Sequence, residues 1–210
     1  MYYPIFLDLN DRSCLVVGGG PVAERKVEGL LGVGARVTVL SPAMTERLRA
    51  WATSGTIQHV QRAYQWGDLI GYQLAFATTD DVEVNAAMAW EGRERGVWVN
   101  AADDPVNCDF ILPSVLRRGA LVVAVATGGA SPALSRAIRE ELEGYFTDDY
   151  AVLAEVVADV RRELRTEARR SDAGTWRRAL DADLRRLIAA GRREEAKAHL
   201  LDRLGEGRCG

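Results

Sequence analysis

Histidine and cysteine are scarce in this chain of 210 residues: there are two histidines, His59 and His199, and three cysteines, Cys14, Cys108 and Cys209. The cysteines lie far apart with no paired spacing, which excludes a disulfide framework or a zinc knuckle and fits a reducing cytoplasm. Each histidine stands alone, so both are read as surface or structural residues and no metal ligand is assigned. No apolar run approaches the roughly 20 residues of a membrane span, and the N-terminal MYYPIFLDLNDRS lacks the basic stretch and apolar segment of an export signal. The expectation is a cytoplasmic protein with no membrane partner. A charge excess of one sign is also missing. The 27 basic and 30 acidic residues leave a net charge of -3, which argues against wholesale nucleic-acid binding and makes any anion site a local one.

What is present is a hydrophobic content of 48%, enough to bury a real core. CLVVGGGPVAERKVEGLLGVGARVTVLSP reads as strand, glycine turn, helix and strand, with Val22, Val27, Leu30 and Leu31 at helical spacing before Gly32 and Gly34 stop the helix. TIQHVQR, YQLAFATTD and VWVNAAD read as further strands, and VEVNAAMAWEGRERG as a helix. Strands alternating with helices imply a doubly wound, mainly parallel α/β sheet of Rossmann type over residues 1–112. From Phe110 the pattern changes. An apolar strand over Leu121 to Ala126 precedes a glycine turn and a helix that Ser131 caps and Pro132 opens, forming a small α/β segment over 113–148. Residues 149–210 read as a helical C-terminal domain, with Leu153, Val156, Val157, Val160 and Leu164 on one face.

Gly18, Gly19, Gly20, Pro21, Val22 and Ala23 fit G-x-G-x-x-A directly after a strand and at the start of a helix. There the first glycine permits the tight turn, the next lets the backbone approach a pyrophosphate, and the helix start supplies amides and partial positive charge. This points to a dinucleotide. The end of the second strand, however, is Val39-Leu40-Ser41-Pro42, with neither the acid that grips an adenosine ribose nor an arginine for a 2'-phosphate. NAD and NADP are therefore not separated on physical grounds, and Ser41, Pro42 and Ala43 are the candidates for the ribose. Thr78 and Thr79, at the carboxyl end of the fourth strand, are placed to line the crevice, while Asp80 or Asp81 is suited to cap the next helix.

Taken together, YPIFLDLNDRSCLVVGGGPVAERKVEGLL, ATTDDVEVN, and the run VNAADDPVNCDFILPSVLRRGALVVAVATGGASPALSRAIREELE resemble the siroheme synthase dehydrogenase module, the precorrin-2 dehydrogenase family, some of whose members are also sirohydrochlorin ferrochelatases. The resemblance covers essentially the whole chain. It implies NAD-dependent oxidation of precorrin-2 to sirohydrochlorin, a homodimer interlocked through residues 113–148, and a helical C-terminal domain that helps to shape the cleft. The methyltransferase domain of longer relatives does not follow in these 210 residues, so precorrin-2 is expected from a separate uroporphyrinogen methyltransferase. Ferrous iron as a second substrate stays open, because some relatives dehydrogenate without chelating.

The resemblance also assigns catalysis to an aspartate after the fifth strand, which the N-x-x-D pattern of Asn100 and Asp103 places at Asp103. A position at the carboxyl end of strand five supports this, and Asp104, preceding Pro105, reads as a turn residue. A carboxylate can take the proton if burial tunes it toward neutrality. A polycarboxylate substrate asks for donors. Thr127, Gly128, Gly129 and Ser131 offer amides and hydroxyls at a helix start, Asn100 and Ser114 flank the region, and Arg117, Arg118, Arg136 and Arg139 lie near in sequence. Two rivals remain. One is a nucleotide-sensing module without catalysis. The other is a small-carbonyl reductase, which commonly carries Tyr and Lys four residues apart; Tyr64, Tyr72, Tyr145 and Tyr150 have no such lysine.

Overall fold

A computed structural model describes residues 2–169 and 171–205; Met1, Arg170 and residues 206–210, Cys209 among them, lie outside the described residues. The chain divides into two compact units, Met1–Leu112 and Pro113–Gly210.

The first unit is built on five parallel strands, β1 (Ser13–Val17), β2 (Arg36–Leu40), β3 (Gln58–Val60), β4 (Leu74–Ala77) and β5 (Trp98–Ala101), in the order β3-β2-β1-β4-β5. Because side chains alternate along a strand, the apolar runs feed two cores at once. Cys14, Val16, Val37, Val39, Leu74 and Phe76 face one side. Leu15, Val17, Leu40, Ala75, Ala77 and Val99 face the other. Helices α1 (Pro21–Leu31) and α2 (Glu46–Thr53) cover the first face through Ala23, Val27, Leu30 and Leu48, while α3 (Val82–Arg95) contributes Met88 to the second. The reversal of direction falls between β1 and β4, so the crevice beyond their carboxyl ends is the place where an open α/β sheet binds ligands.

Helix ends follow their side-chain chemistry. The Asp81 carboxylate accepts from the amides of Glu83 and Val84 to cap α3, and Gly96 closes it in the left-handed conformation at φ 70°. Between β3 and β4 the described residues form no helix. Leu69 packs into the second core there, and the segment is tied to a fully buried carboxylate. Glu91 accepts from the Tyr64 hydroxyl at 2.5 Å, the amides of Gly67 and Leu69 at 2.9 and 3.3 Å, and Arg95 Nε at 2.7 Å. Four donors offset the cost of burying this charge.

In the second unit β6 (Ser114–Arg118) and β7 (Leu121–Val125) form an antiparallel hairpin, followed by α4 (Pro132–Tyr145). Then come α5 (Asp149–Thr166), α6 (Ala173–Ala179), α7 (Ala182–Ala189) and α8 (Arg193–Gly205). The last four pack on Val156, Val160, Leu164, Leu184, Leu200 and Leu204. This unit therefore contains both residues 113–148 and the helices that follow. Three details depart from the sequence reading: α2 and β6 are additional elements, and the third strand is only Gln58–Val60 rather than the whole of Thr56 to Arg62.

Candidate functional site

The carboxyl end of the sheet is shaped by the glycine turn. Gly18 sits at φ 120°, and a Cβ there would lie 2.5 Å from Thr78 Oγ1 and 2.7 Å from the Thr78 carbonyl oxygen. Gly19 is confined for another reason, since a Cβ would collide with the carbonyl oxygen of Ala43. Its own carbonyl accepts from the Thr45 amide at 2.9 Å. Gly20 differs from both: a Cβ there would meet no atom within 4 Å, and its backbone is extended. Gly20 also occupies the N-cap of α1, with no side chain bonded to the first-turn amides and Pro21 lacking one. The Val22 and Ala23 amides are thus without a side-chain cap, with the helix dipole behind them and open space at Gly20, a cradle suited to a pyrophosphate. The residues present fit a dinucleotide.

Around this turn the remaining candidates brace the backbone. The Ser41 hydroxyl is buried and donates to the Ala43 carbonyl at 2.6 Å, while His59 Nε2 lies 2.9 Å from the Ser41 carbonyl oxygen. These bonds hold the 41–43 segment against Gly19 and leave Pro42 and Ala43 exposed beside it. Thr78 donates its hydroxyl to Val17 O at 2.8 Å. The Thr79 hydroxyl accepts from the Asp81 amide and lies 3.1 Å from Asn85 Oδ1, fixing the entry to α3.

Asp103 stands at the tip of the loop that follows β5. The chain turns there with Asp103 at φ 58° and then doubles back along the open edge of β5, where Asp109 N donates to Val99 O and Val99 N donates to Asp109 Oδ2, each at 2.8 Å. Pairing with the loop closes an edge strand that would otherwise be bare. Asn100, 8% exposed, donates to the Phe110 carbonyl at 2.9 Å, and Asp104 accepts from Asn107 Nδ2 at 2.7 Å. Asn100 is therefore placed as a brace of the loop that carries Asp103, and Asp104 is a turn residue. The Asp103 side chain is exposed, in a turn where its backbone sits at φ 58°.

A residue that the sequence reading passed over stands beside this loop. Lys26 is half-buried on the sheet side of α1, with its ammonium 5.5 Å from the centre of the Phe76 ring, which in turn meets Phe110 edge-on. Burial holds Lys26 below the usual lysine pKa and Arg25 acts the same way, while Cys108 and Asp103 oppose them. The Cys108 thiol is pushed up chiefly by burial; Ala101 N donates to it at 3.3 Å. A signal for Lys26 existed. It falls at i+3 in the apolar series Ala23, Val27, Leu30, a core-facing position where a charge is unusual.

In the second unit Gly128 and Gly129 are both left-handed, at φ 65° and 88°. Thr127 Oγ1 accepts from the Ser131 amide at 3.0 Å, and Ser131 Oγ accepts from Leu134 N at 3.1 Å as the cap of α4. Ser114 opens β6 opposite Val125. Arg118 donates to the Phe146 carbonyl and pairs with Asp148, and Arg139 pairs with Glu140 and Glu143; Arg117 and Arg136 are exposed. His199 bonds Asp181 at 3.1 Å. No helix of the described residues is long and apolar enough to cross a membrane.

A parallel sheet whose first strand opens through a glycine turn onto an uncapped helix defines a dinucleotide-binding α/β protein. Residues 5–114 match the family described as putative NAD(P)-binding, and residues 118–145 match the sirohaem biosynthesis protein central segment. The chain belongs to this NAD(P)-binding family, in the branch that carries the sirohaem segment. It is 40% identical over 203 residues to a siroheme synthase of Methylococcus capsulatus, covering 96% of this chain and 43% of the relative. A siroheme synthase of Thioalkalivibrio sulfidiphilus is 39% identical over 211 residues, covering 98% and 42%. The chain thus spans less than half the length of these relatives. Among solved structures, SirC, a precorrin-2 dehydrogenase, superposes with a TM-score of 0.75 at 24% identity, over 98% of this chain and all of that one.

Proposed function

We propose that this protein oxidises precorrin-2 to sirohydrochlorin with NAD, and that the Asp103 carboxylate takes the proton. The observation that carries the reading is the position of Asp103, held at φ 58° in the turn directly after β5, at the carboxyl end of the sheet whose β1 runs into the glycine turn. The likeness to siroheme synthases supports the substrate. Bound NAD supplies the acceptor for the hydride. The protein's own work is to seat the dinucleotide against Gly20 and the start of α1 and to hold a carboxylate on a loop tied to β5 by Asp109 and Asn100. Proton transfer to a positioned side chain contributes about 10²- to 10⁴-fold. In the second unit, Thr127, Gly128, Gly129 and Ser131, with Ser114 nearby in sequence, are the proposed donors for substrate carboxylates. Residues 113–148 are the proposed dimer contact, and cysteines few and without paired spacing support a cytoplasmic setting.

The test is an anaerobic assay with freshly made precorrin-2 and NAD that follows NADH and the sirohydrochlorin spectrum together, for the wild type and Asp103→Asn. Both signals should rise together in the wild type, while the variant should lose at least a hundredfold in turnover with its NAD affinity unchanged. A wild type that binds NAD without turning over, or a variant of near-normal rate, would overturn the reading. Repeating the assay with ferrous iron shows whether iron insertion accompanies dehydrogenation.

A further inference from the structure

The ammonium of Lys26 has no hydrogen-bond or ion-pair partner among the described residues. It is nevertheless half-buried and directed toward β4, beside the loop that carries Asp103. A partly desolvated cation without a counter-ion is costly, and the cost is recovered when an anion arrives. The charged groups around it do not fill that place. Arg25 repels it, Asp103 is exposed and makes no direct bond to it, Asp104 is taken by Asn107, and Asp109 by the Val99 amide. Arg93, from α3, is turned to the Val106 carbonyl on the same loop.

We infer that Lys26 seats a carboxylate of the tetrapyrrole beside Asp103, and so fixes which carbon of the macrocycle the base meets. The inference rests on the substrate reading above. Two features favour a carboxylate on a flat apolar ligand. The cation stands over the Phe76 ring with Phe110 edge-on to it, so charge and apolar surface come side by side. Lys26 also lies three and four residues beyond Ala23 and Val22, about one helical turn, and stands over the Phe76 ring of β4, whereas the pyrophosphate cradle opens at the start of α1.

The test compares Lys26→Met, Lys26→Gln and Lys26→Arg with the wild type, measuring KM for precorrin-2, the dissociation constant of the product sirohydrochlorin without NAD, and the dissociation constant of NAD. Loss of a charge-assisted bond should raise KM and the sirohydrochlorin constant by about tenfold to a hundredfold in both neutral variants. Arginine should restore most of the affinity, with NAD binding the same in all four. Tetrapyrrole affinities within twofold of wild type in the neutral variants would overturn the proposal. So would a fall in NAD affinity alone, which would make the anion a cofactor phosphate, or a fall in kcat with KM unchanged. Should Lys26→Met fail to fold, Lys26→Gln keeps a polar head and decides alone. Wild-type turnover tests the dehydrogenase reading separately, so Lys26 can fail while that reading stands.

Discussion

The Thr78 hydroxyl donates to the carbonyl oxygen of Val17 across 2.8 Å and stands where a side chain on Gly18 would have to go. The residue after β4 is thereby locked to the last residue of β1, directly before the glycine turn, and the three glycines acquire different duties. Gly18→Ala meets both a forbidding φ and backbone atoms of Thr78, and should cost about 2–4 kcal/mol of stability. Gly19→Ala meets the Ala43 carbonyl and should cost a similar amount. Gly20→Ala has room and an ordinary backbone conformation, so its stability should stay within about 0.5 kcal/mol while NAD affinity falls. Urea unfolding and an NAD titration on the three variants separate these outcomes. Equal losses of stability at all three positions would contradict the assignment.

Glu91 makes a second structural prediction. Truncation to alanine strands the Tyr64 hydroxyl and the amides of Gly67 and Leu69, and should destabilise the first unit by about 3–5 kcal/mol. Tyr64→Phe removes one donor and should cost about 1–2 kcal/mol. Since the two residues share one bond, the double variant should lose less than the sum of the single losses. Additive losses in urea unfolding would show that Glu91 does not organise the segment between β3 and β4.

These two cases show what the sequence carries and what it hides. The glycine turn, β1, α1, β2 and α3 were legible because apolar period, cap and breaker agree: Asp81 and Gly96 bracket α3, and Pro132 follows the Ser131 cap of α4. Helix α2 was not, because ERLRAWAT buries only Leu48 fully, too little for a visible period. Strand β6 was hidden for the same reason, as SVLRR buries Leu116 alone and its arginines read as surface. At the site, the place of Asp103 after β5 was legible from the strand that precedes it, while its proposed role came from the resemblance. Lys26 and Glu91 were not, because their meaning lies in what they face across the fold. Both nonetheless sit on core-facing sides of helices, next to Val27 and Gly92, and a charge in such a register is a readable warning.

Alkaline stability should depend on Cys14. Burial in the core pushes its thiol up to about 11 from an ordinary 9.0. A group whose folded pKa is raised contributes stability that is complete below the unfolded value and is lost as pH climbs through the folded one, because the unfolded chain releases its proton first. The window is therefore pH 9 to about 11, and the loss should be about 2 kcal/mol. Tyr64, raised chiefly by burial and then by its bond to Glu91, adds a further loss above pH 10. Urea unfolding at half-unit steps from pH 8 to 11 should show a steeper decline for the wild type than for Cys14→Ala. Parallel curves would mean that the thiol titrates normally in the fold.

Position 103 separates conformation from chemistry. A left-handed φ of 58° costs a residue with a Cβ about 1–2 kcal/mol, less for aspartate and asparagine, whose short polar side chains bond locally, and nothing for glycine. Stability should therefore rank Asp103→Gly at or above wild type, Asp103→Asn near it, and Asp103→Ala about 1 kcal/mol below. Turnover should rank quite differently, with all three variants reduced by at least a hundredfold because each removes the carboxylate. A series in which turnover tracks stability would make Asp103 a turn residue only. One in which Asp103→Gly is the most stable variant yet inactive would place its value in the carboxylate, presented on a turn that the fold holds at some conformational cost.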